Sequence, residues 1–141
     1  MIMMNKEEVL LKILREGITP ATGCTEPIAV AYAVAAAKEQ IEGNLESIHI
    51  QVDPNVYKNG LMVTIPGTTE KGLVAAAAFG FIAGDTKRRF RVIEGLTDKD
   101  ITEARGLMEQ KKIGLNLKKK VSVWISRSNL LPIRKKLELS F

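Results

Sequence analysis

Cysteine is almost missing from this chain: Cys24 is the only one among 141 residues. An internal disulfide is therefore excluded, and the count leaves the compartment open. Long apolar runs are missing too. The longest stretches, Ile28–Ala37 and Gly72–Gly84, fall short of the roughly 18 to 20 residues that cross a bilayer. The opening Met1-Ile2-Met3-Met4-Asn5-Lys6-Glu7-Glu8 lacks the apolar core of a secretion signal. The expectation is a cytoplasmic protein with no membrane partner. Aromatic residues make up only 5%, and none is interleaved with the lysines as a single-strand binder would want. That argues against a nucleic-acid partner. Histidine occurs once, as His49. No internal repeat and no linker divides the chain.

What is present suits one domain with a real core: 45% hydrophobic and 26% charged residues. The net charge of +5 is unevenly spread. Up to Gln110 there are 12 basic and 15 acidic residues; from Lys111 onward there are 9 basic and 1 acidic. The body is mildly acidic and the end basic. Such an end reads first as a solvated surface, and second as a contact for phosphate or an acidic partner.

The stretch Pro20-Ala21-Thr22-Gly23-Cys24-Thr25-Glu26-Pro27 organises the rest. Its prolines and glycine make it a fixed loop. An Ala-rich run follows at once and predicts a buried helix over about 27–40. Thr25 is expected to cap that helix through its hydroxyl, with Glu26 and Pro27 in the first turn. Cys24 then stands at a helix N-terminus, where the dipole favours a thiolate, a nucleophile or metal ligand. The competing reading is a small buried thiol.

Before this loop, Val9, Leu10, Ile13 and Leu14 recur at helical spacing and predict an amphipathic helix over 6–16. After the buried helix, Ile48, Ile50 and Val52 alternate with Ser47, His49 and Gln51, the pattern of a half-buried strand. His49 on its polar face reads as solvated rather than as a ligand. Asp53-Pro54-Asn55 ends the strand. Lys58-Asn59-Gly60 reads as a hairpin turn leading to an antiparallel strand over Leu61–Ile65. Pro66-Gly67-Thr68-Thr69 opens a second Ala-rich helix, Gly72–Ala83, whose N-terminus suits either plain capping or an anion. Phe90–Glu94 reads as a short strand. Thr97-Asp98-Lys99-Asp100 resembles a capping box for a helix to about Lys111 that buries Ile101, Ala104, Leu107 and Met108. Ile113–Leu117 and Val121–Ile125 read as a closing strand pair. Together these predict an α+β fold, with Ala-rich buried helices packed on a small, mostly antiparallel sheet. One domain is expected over 1–125 and a basic, atypical tail over 126–141.

Three of these stretches, Thr22-Gly23-Cys24-Thr25-Glu26-Pro27, Asn55-Val56-Tyr57-Lys58-Asn59-Gly60 and Ile65-Pro66-Gly67-Thr68, resemble the N-terminal half of the L-cysteine desulfidases, relatives of the iron–sulfur L-serine dehydratases. The resemblance runs from about Glu7 to Ile125. It implies a 4Fe–4S lyase acting on a small amino acid, cysteine or serine, with Cys24 as a metal ligand. Glu26, Lys58 and Asn59 are then candidate catalytic residues, and Thr25, Pro66, Gly67 and Thr68 candidate substrate-binding ones. Glu26 stays open between base and first-turn carboxylate. Members of that family are longer and hold their other cluster cysteines in a C-terminal half, so a cluster is expected here only if another chain completes it. The family's Ser-His-Thr-Asn run is here Ser126-Arg127-Ser128-Asn129. Three readings follow: a split enzyme with a second polypeptide, a folded but inactive remnant, or a small anion- or partner-binding module without activity. A homo-oligomer stays open.

Overall fold

Two alanine-rich helices lie against each other at the centre of this computed structural model, which describes residues 6–17, 23–128 and 135–139. In chain order the elements are α1 (Lys6–Gly17), α2 (Thr25–Lys38), β1 (Asn44–Val52), α3 (Pro54–Gly60), α4 (Gly72–Ala83), a 3-10 segment (Thr86–Arg91), α5 (Asp98–Glu109), β2 (Ile113–Leu117), β3 (Val121–Ser128) and β4 (Lys135–Leu139). Alanine favours the helix intrinsically and leaves neighbours room to approach. Almost every residue of α2 and α4 is buried. At their contact Gly80 of α4 meets the backbone of Ala31 so closely that a Cβ would stand 2.8 Å from Ala31 Cα. Phe79 and Leu73 of α4, with Ile28, Val30 and Val34 of α2, fill the centre of the core.

The strands form one sheet in the order β2-β1-β3-β4. β1 runs parallel to β2 and antiparallel to β3, and β3 runs antiparallel to β4. Alternation assigns the two faces. Ile48, Ile50 and Val52 of β1 and Val121, Val123 and Ile125 of β3 are buried on the face that α2 and α4 cover. α5 packs on α4 from outside. The α+β class and the mostly antiparallel sheet are as the sequence predicts.

Four local expectations fail. The hairpin at Asn59-Gly60 does not form. Instead Asp53 caps α3, its carboxylate accepting from Asn55 N at 2.8 Å and Val56 N at 3.1 Å, with Pro54 in the first turn. A cap plus an N-terminal proline outweighs the turn preference of Asn-Gly. Leu61–Ile65 is then not a strand, and keeps only a single bridge between Thr64 and Lys71. Phe90–Glu94 also forms no strand; Val92 and Ile93 are buried from a turn that follows the 3-10 segment. Finally, β2 and β3 are not partners, because β1 lies between them. Alternation finds strands but does not choose their neighbours.

Two sequence features meet different fates. The helix over 6–17 forms, yet Val9, Leu10 and Leu14 are 41%, 51% and 54% exposed, so its apolar row is not part of the core. The capping box forms as expected: Asp100 N donates to Thr97 Oγ1 at 3.2 Å, and Thr97 N donates to Asp100 Oδ2 at 2.8 Å. The N–H and hydroxyl of Thr97 hold the Asp100 carboxyl below its usual pKa. A carboxylate with a lowered folded pKa contributes above its ordinary range and loses that contribution as pH falls through the folded value. Thr97→Ala is expected to cost about 1 kcal/mol in urea unfolding at neutral pH, with a smaller penalty in strong acid. An equal penalty at both pH values would remove Asp100 from the account.

Candidate functional site

Cys24 is the N-cap of α2, in extended backbone with no side-chain capping bond. Thr25 is thus not the cap that the sequence suggested; it opens the first turn. Pro27 sits in that turn, where a missing N–H has no intrahelical acceptor to disappoint. The preceding Gly23 has φ +87°, and a Cβ there would stand 2.8 Å from Pro66 Cγ. So the loop before α2 is seated on the Pro66–Thr68 turn. Pro20, Ala21 and Thr22 lie outside the described residues.

Glu26 gathers the polar groups. Cys24 Sγ donates to Glu26 Oε2 at 3.0 Å, Thr25 Oγ1 donates to the same oxygen at 3.3 Å, and Asn59 Nδ2 donates to Oε1 at 3.2 Å. The Asn59 bond ties α3 to α2 across 33 positions of sequence. Cys24 is exposed, so a purely packing role for its sulfur is excluded.

The electrostatics run against the dipole expectation. The bond to Glu26 raises the Cys24 pKa most, and slight burial and the carboxylate's charge add to it. N–H groups of the first turn pull it down, as the sequence suggests, but do not win. Glu26 moves the other way. The thiol donor lowers its pKa most, and the first-turn N–H, Asn59 and Thr25 help. At neutral pH the pair is a protonated thiol donating to a firmly ionised carboxylate. Such a carboxylate is a poor proton acceptor.

The remaining candidates fall apart from this cluster. Lys58 is exposed on α3 and makes no hydrogen bond to Cys24, Glu26 or Asn59 among the described residues. Thr68 spends its hydroxyl inside its own turn, donating to Ile65 O at 2.9 Å and accepting from Glu70 N at 3.0 Å. Gly67 and Thr68 face a different cavity, about 580 Å³ and shallow, shared with Thr69, Asp98 and Arg105. There Arg105 Nε pairs with Glu70 Oε1 at 2.6 Å. Nothing in the sequence signals that pair, whose members stand 35 positions apart. The sequence also misses what Arg127 does. Its Nη1 donates to Ile41 O, and its guanidinium lies 5.1 Å from the Phe81 ring, against which Lys38 also packs at 5.2 Å. Burial and the Arg127 charge lower the Lys38 pKa. Arg127 thus braces the end of α2 against α4 and β3; Asn129 lies outside the described residues.

Among the described residues, no three His, Cys, Asp or Glu side chains gather where a metal could be held. With one thiol, held as a hydrogen-bond donor, this chain's residues do not fit an iron–sulfur cluster. No helix among the described residues is long and apolar enough to cross a membrane.

No protein-family model matches the chain. It is similar to the UPF0597 proteins. That of Clostridium tetani is 44% identical over 118 residues, which are 84% of this chain and 28% of that protein. That of Alkaliphilus oremlandii is 40% identical over 116 residues, 82% of this chain and 27% of the other. That of Latilactobacillus sakei is 45% identical over 104 residues, 73% and 24% of the two chains. The chain therefore spans about a quarter of the length of these relatives. They are named UPF0597 proteins and not L-cysteine desulfidases, which overturns the resemblance drawn from the three motifs, together with the lyase and iron–sulfur identity it implied. The physical reason lies in the motifs. Thr25–Pro27 is a first helical turn, Asn55–Gly60 a short capped helix, and Pro66–Thr68 a turn. Short motifs of this kind specify local geometry, and local geometry is shared across chemistries.

Proposed function

We propose that this chain is a partner-binding module without catalytic activity of its own. It docks a second polypeptide through the surface around Cys24, Glu26 and Asn59. The observation that carries the reading is that these side chains are held in a fixed arrangement by mutual bonds while facing solvent. Ordering exposed side chains costs conformational entropy, which a surface with no partner has no reason to spend. Two apolar side chains, Leu61 at 44% and Met62 at 69% exposure, follow Asn59 after Gly60. A polar cluster beside adaptable apolar groups suits a protein contact. The partner's matching groups are an N–H or ammonium donor for Glu26 and an apolar side chain for Met62. An anion at this end of α2 is disfavoured because the Glu26 carboxylate already occupies it. A cytoplasmic setting goes with the reading, since an exposed free thiol persists best in a reducing milieu.

The length of the relatives supplies a concrete partner to try: the part of the Clostridium tetani protein that this chain does not match. Mixed with the whole chain, it is expected to form a complex by size exclusion and calorimetry. Glu26→Gln and Met62→Ser should each weaken that complex about tenfold or more. No complex, or a complex indifferent to both changes, would remove the proposal.

A further inference from the structure

Strand β2 stands at one edge of the sheet, and among the described residues no strand lies beyond it. Ladder bonds fix which way its backbone points. Lys112 O accepts from Ile48 N, and Lys118 N donates to Val52 O, each at 2.8 Å. Backbone groups alternate sides along a strand, so the even-numbered residues from Lys112 to Lys118 face β1. Ile113, Leu115 and Leu117 therefore turn their N–H and C=O groups away from the sheet. We propose that this edge takes up an extended segment of another polypeptide, apolar in its middle and acidic at both ends, as an added strand.

The apolar middle follows from incomplete cover. Register sets Ile113 opposite Ile48, Leu115 opposite Ile50 and Leu117 opposite Val52, so all three share the face on which the helices pack. Their β1 neighbours are fully buried. On β2 the cover gives out: Ile113 and Leu115 are half-buried, and Leu117 is 54% exposed. A further strand beside β2 pairs the open backbone groups and carries alternate side chains into the same layer.

The acidic ends follow from charge. Lys111 stands just before β2, and Lys118, Lys119 and Lys120 just after it, all four exposed. No acidic residue occurs between Gln110 and Val121. Among the described residues none of the four lysines forms an ion pair. A second copy that paired through its own β2, in either direction, would set lysine against lysine, and like charges across a strand pair oppose it. The lysines thus close the edge to self-pairing and leave it open to a strand with carboxylates at its ends. None of these residues belongs to the surface around Cys24, Glu26 and Asn59.

The probe is a short labelled peptide of alternating valine and threonine with aspartates at both ends, titrated with the whole chain and read by anisotropy. It is expected to bind. The same peptide with lysines at its ends should bind about tenfold more weakly or worse. N-methylation removes N–H donors one alternate set at a time. Methylating the valines should abolish an antiparallel pairing and methylating the threonines a parallel one, so binding is lost with one set and kept with the other. Changing Lys118, Lys119 and Lys120 together to Glu should weaken the aspartate-ended peptide about tenfold and strengthen the lysine-ended one. Leu117→Pro removes one outward N–H, which an edge strand tolerates, and should weaken both peptides. No binding, or equal binding of the two end charges, would overturn the proposal. Binding insensitive to either methylated set, or equally sensitive to both, would overturn it too, since charge attraction alone would then explain the affinity. So would self-association of the chain that Leu117→Pro abolishes, since the edge would then belong to a second copy.

Discussion

Gly80→Ala is expected to destabilise the chain by about 3 kcal/mol or more, whereas Gly106→Ala should stabilise it by about 0.5 to 1 kcal/mol. Both glycines sit inside helices, α4 and α5. By propensity alone each substitution helps, because alanine loses less backbone entropy on folding. Space decides the sign. A Cβ on Gly106 meets nothing within 4 Å. A Cβ on Gly80 would stand 2.8 Å from Ala31 Cα and 2.9 Å from its carbonyl carbon. Those atoms belong to the backbone of a buried helix and cannot swing aside as a side-chain tip can. Relief requires α2 and α4 to separate, and every alanine contact along their seam loosens with them. Urea or thermal unfolding of the two variants beside the parent measures the difference, on the order of 10 °C in Tm for Gly80→Ala. If Gly80→Ala proved neutral, the close crossing of α2 and α4 would be wrong.

Glu26→Gln is expected to make Cys24 more reactive. In the parent, the thiol donates to a carboxylate that would repel the thiolate, and its pKa is raised chiefly by that bond. Glutamine removes the charge. The N–H groups of the first turn, which already pull the thiol pKa down, are then opposed chiefly by the slight burial of the thiol. Alkylation by iodoacetamide should speed up several-fold at neutral pH, and the inflection of its pH–rate profile should move to lower pH. The stability linkage has a definite sign. Cys24 binds its proton more tightly folded than unfolded, so its contribution is full below the ordinary thiol range and is lost as pH rises through the folded value. Glu26 does the reverse, contributing above the ordinary carboxylate range and losing it as pH falls. Both groups are close to solvent, so the effect on stability is small and the thiol chemistry is the sensitive readout. Slower alkylation in Glu26→Gln would show that the carboxylate acts as a base toward the thiol and does not hold it protonated.

The local elements that the sequence reveals are those whose signal is complete within a few residues. The reciprocal Thr97–Asp100 cap, the alternation of Ile48, Ile50 and Val52, and the Ala-rich runs of α2 and α4 each carry their own cause. The hairpin expected at Asn59-Gly60 fails because two local signals overlap there, and the Asp53-Pro54 helix start is the stronger. The candidate site is legible only in part. Cys24, Thr25 and Glu26 are neighbours in sequence, and Asn59 joins them in space. Lys58, one residue before Asn59, points its chemistry elsewhere, since successive residues of a helix face different directions.

By itself the sequence determined the α+β class, the two buried helices, the strand faces and the presence of one thiol at a helix start. Periodicity, capping and composition act over a turn or two and need no distant partner. Only the tertiary structure decided that β1 separates β2 from β3, that Gly80 lets two backbones touch, that Arg127 braces Phe81, and that the thiol stays protonated against Glu26. The first three depend on groups brought together across the fold, where packing and charge act through distances that chain order does not encode; the last depends on side-chain geometry within one helical turn, set in part by the Asn59 bond from α3.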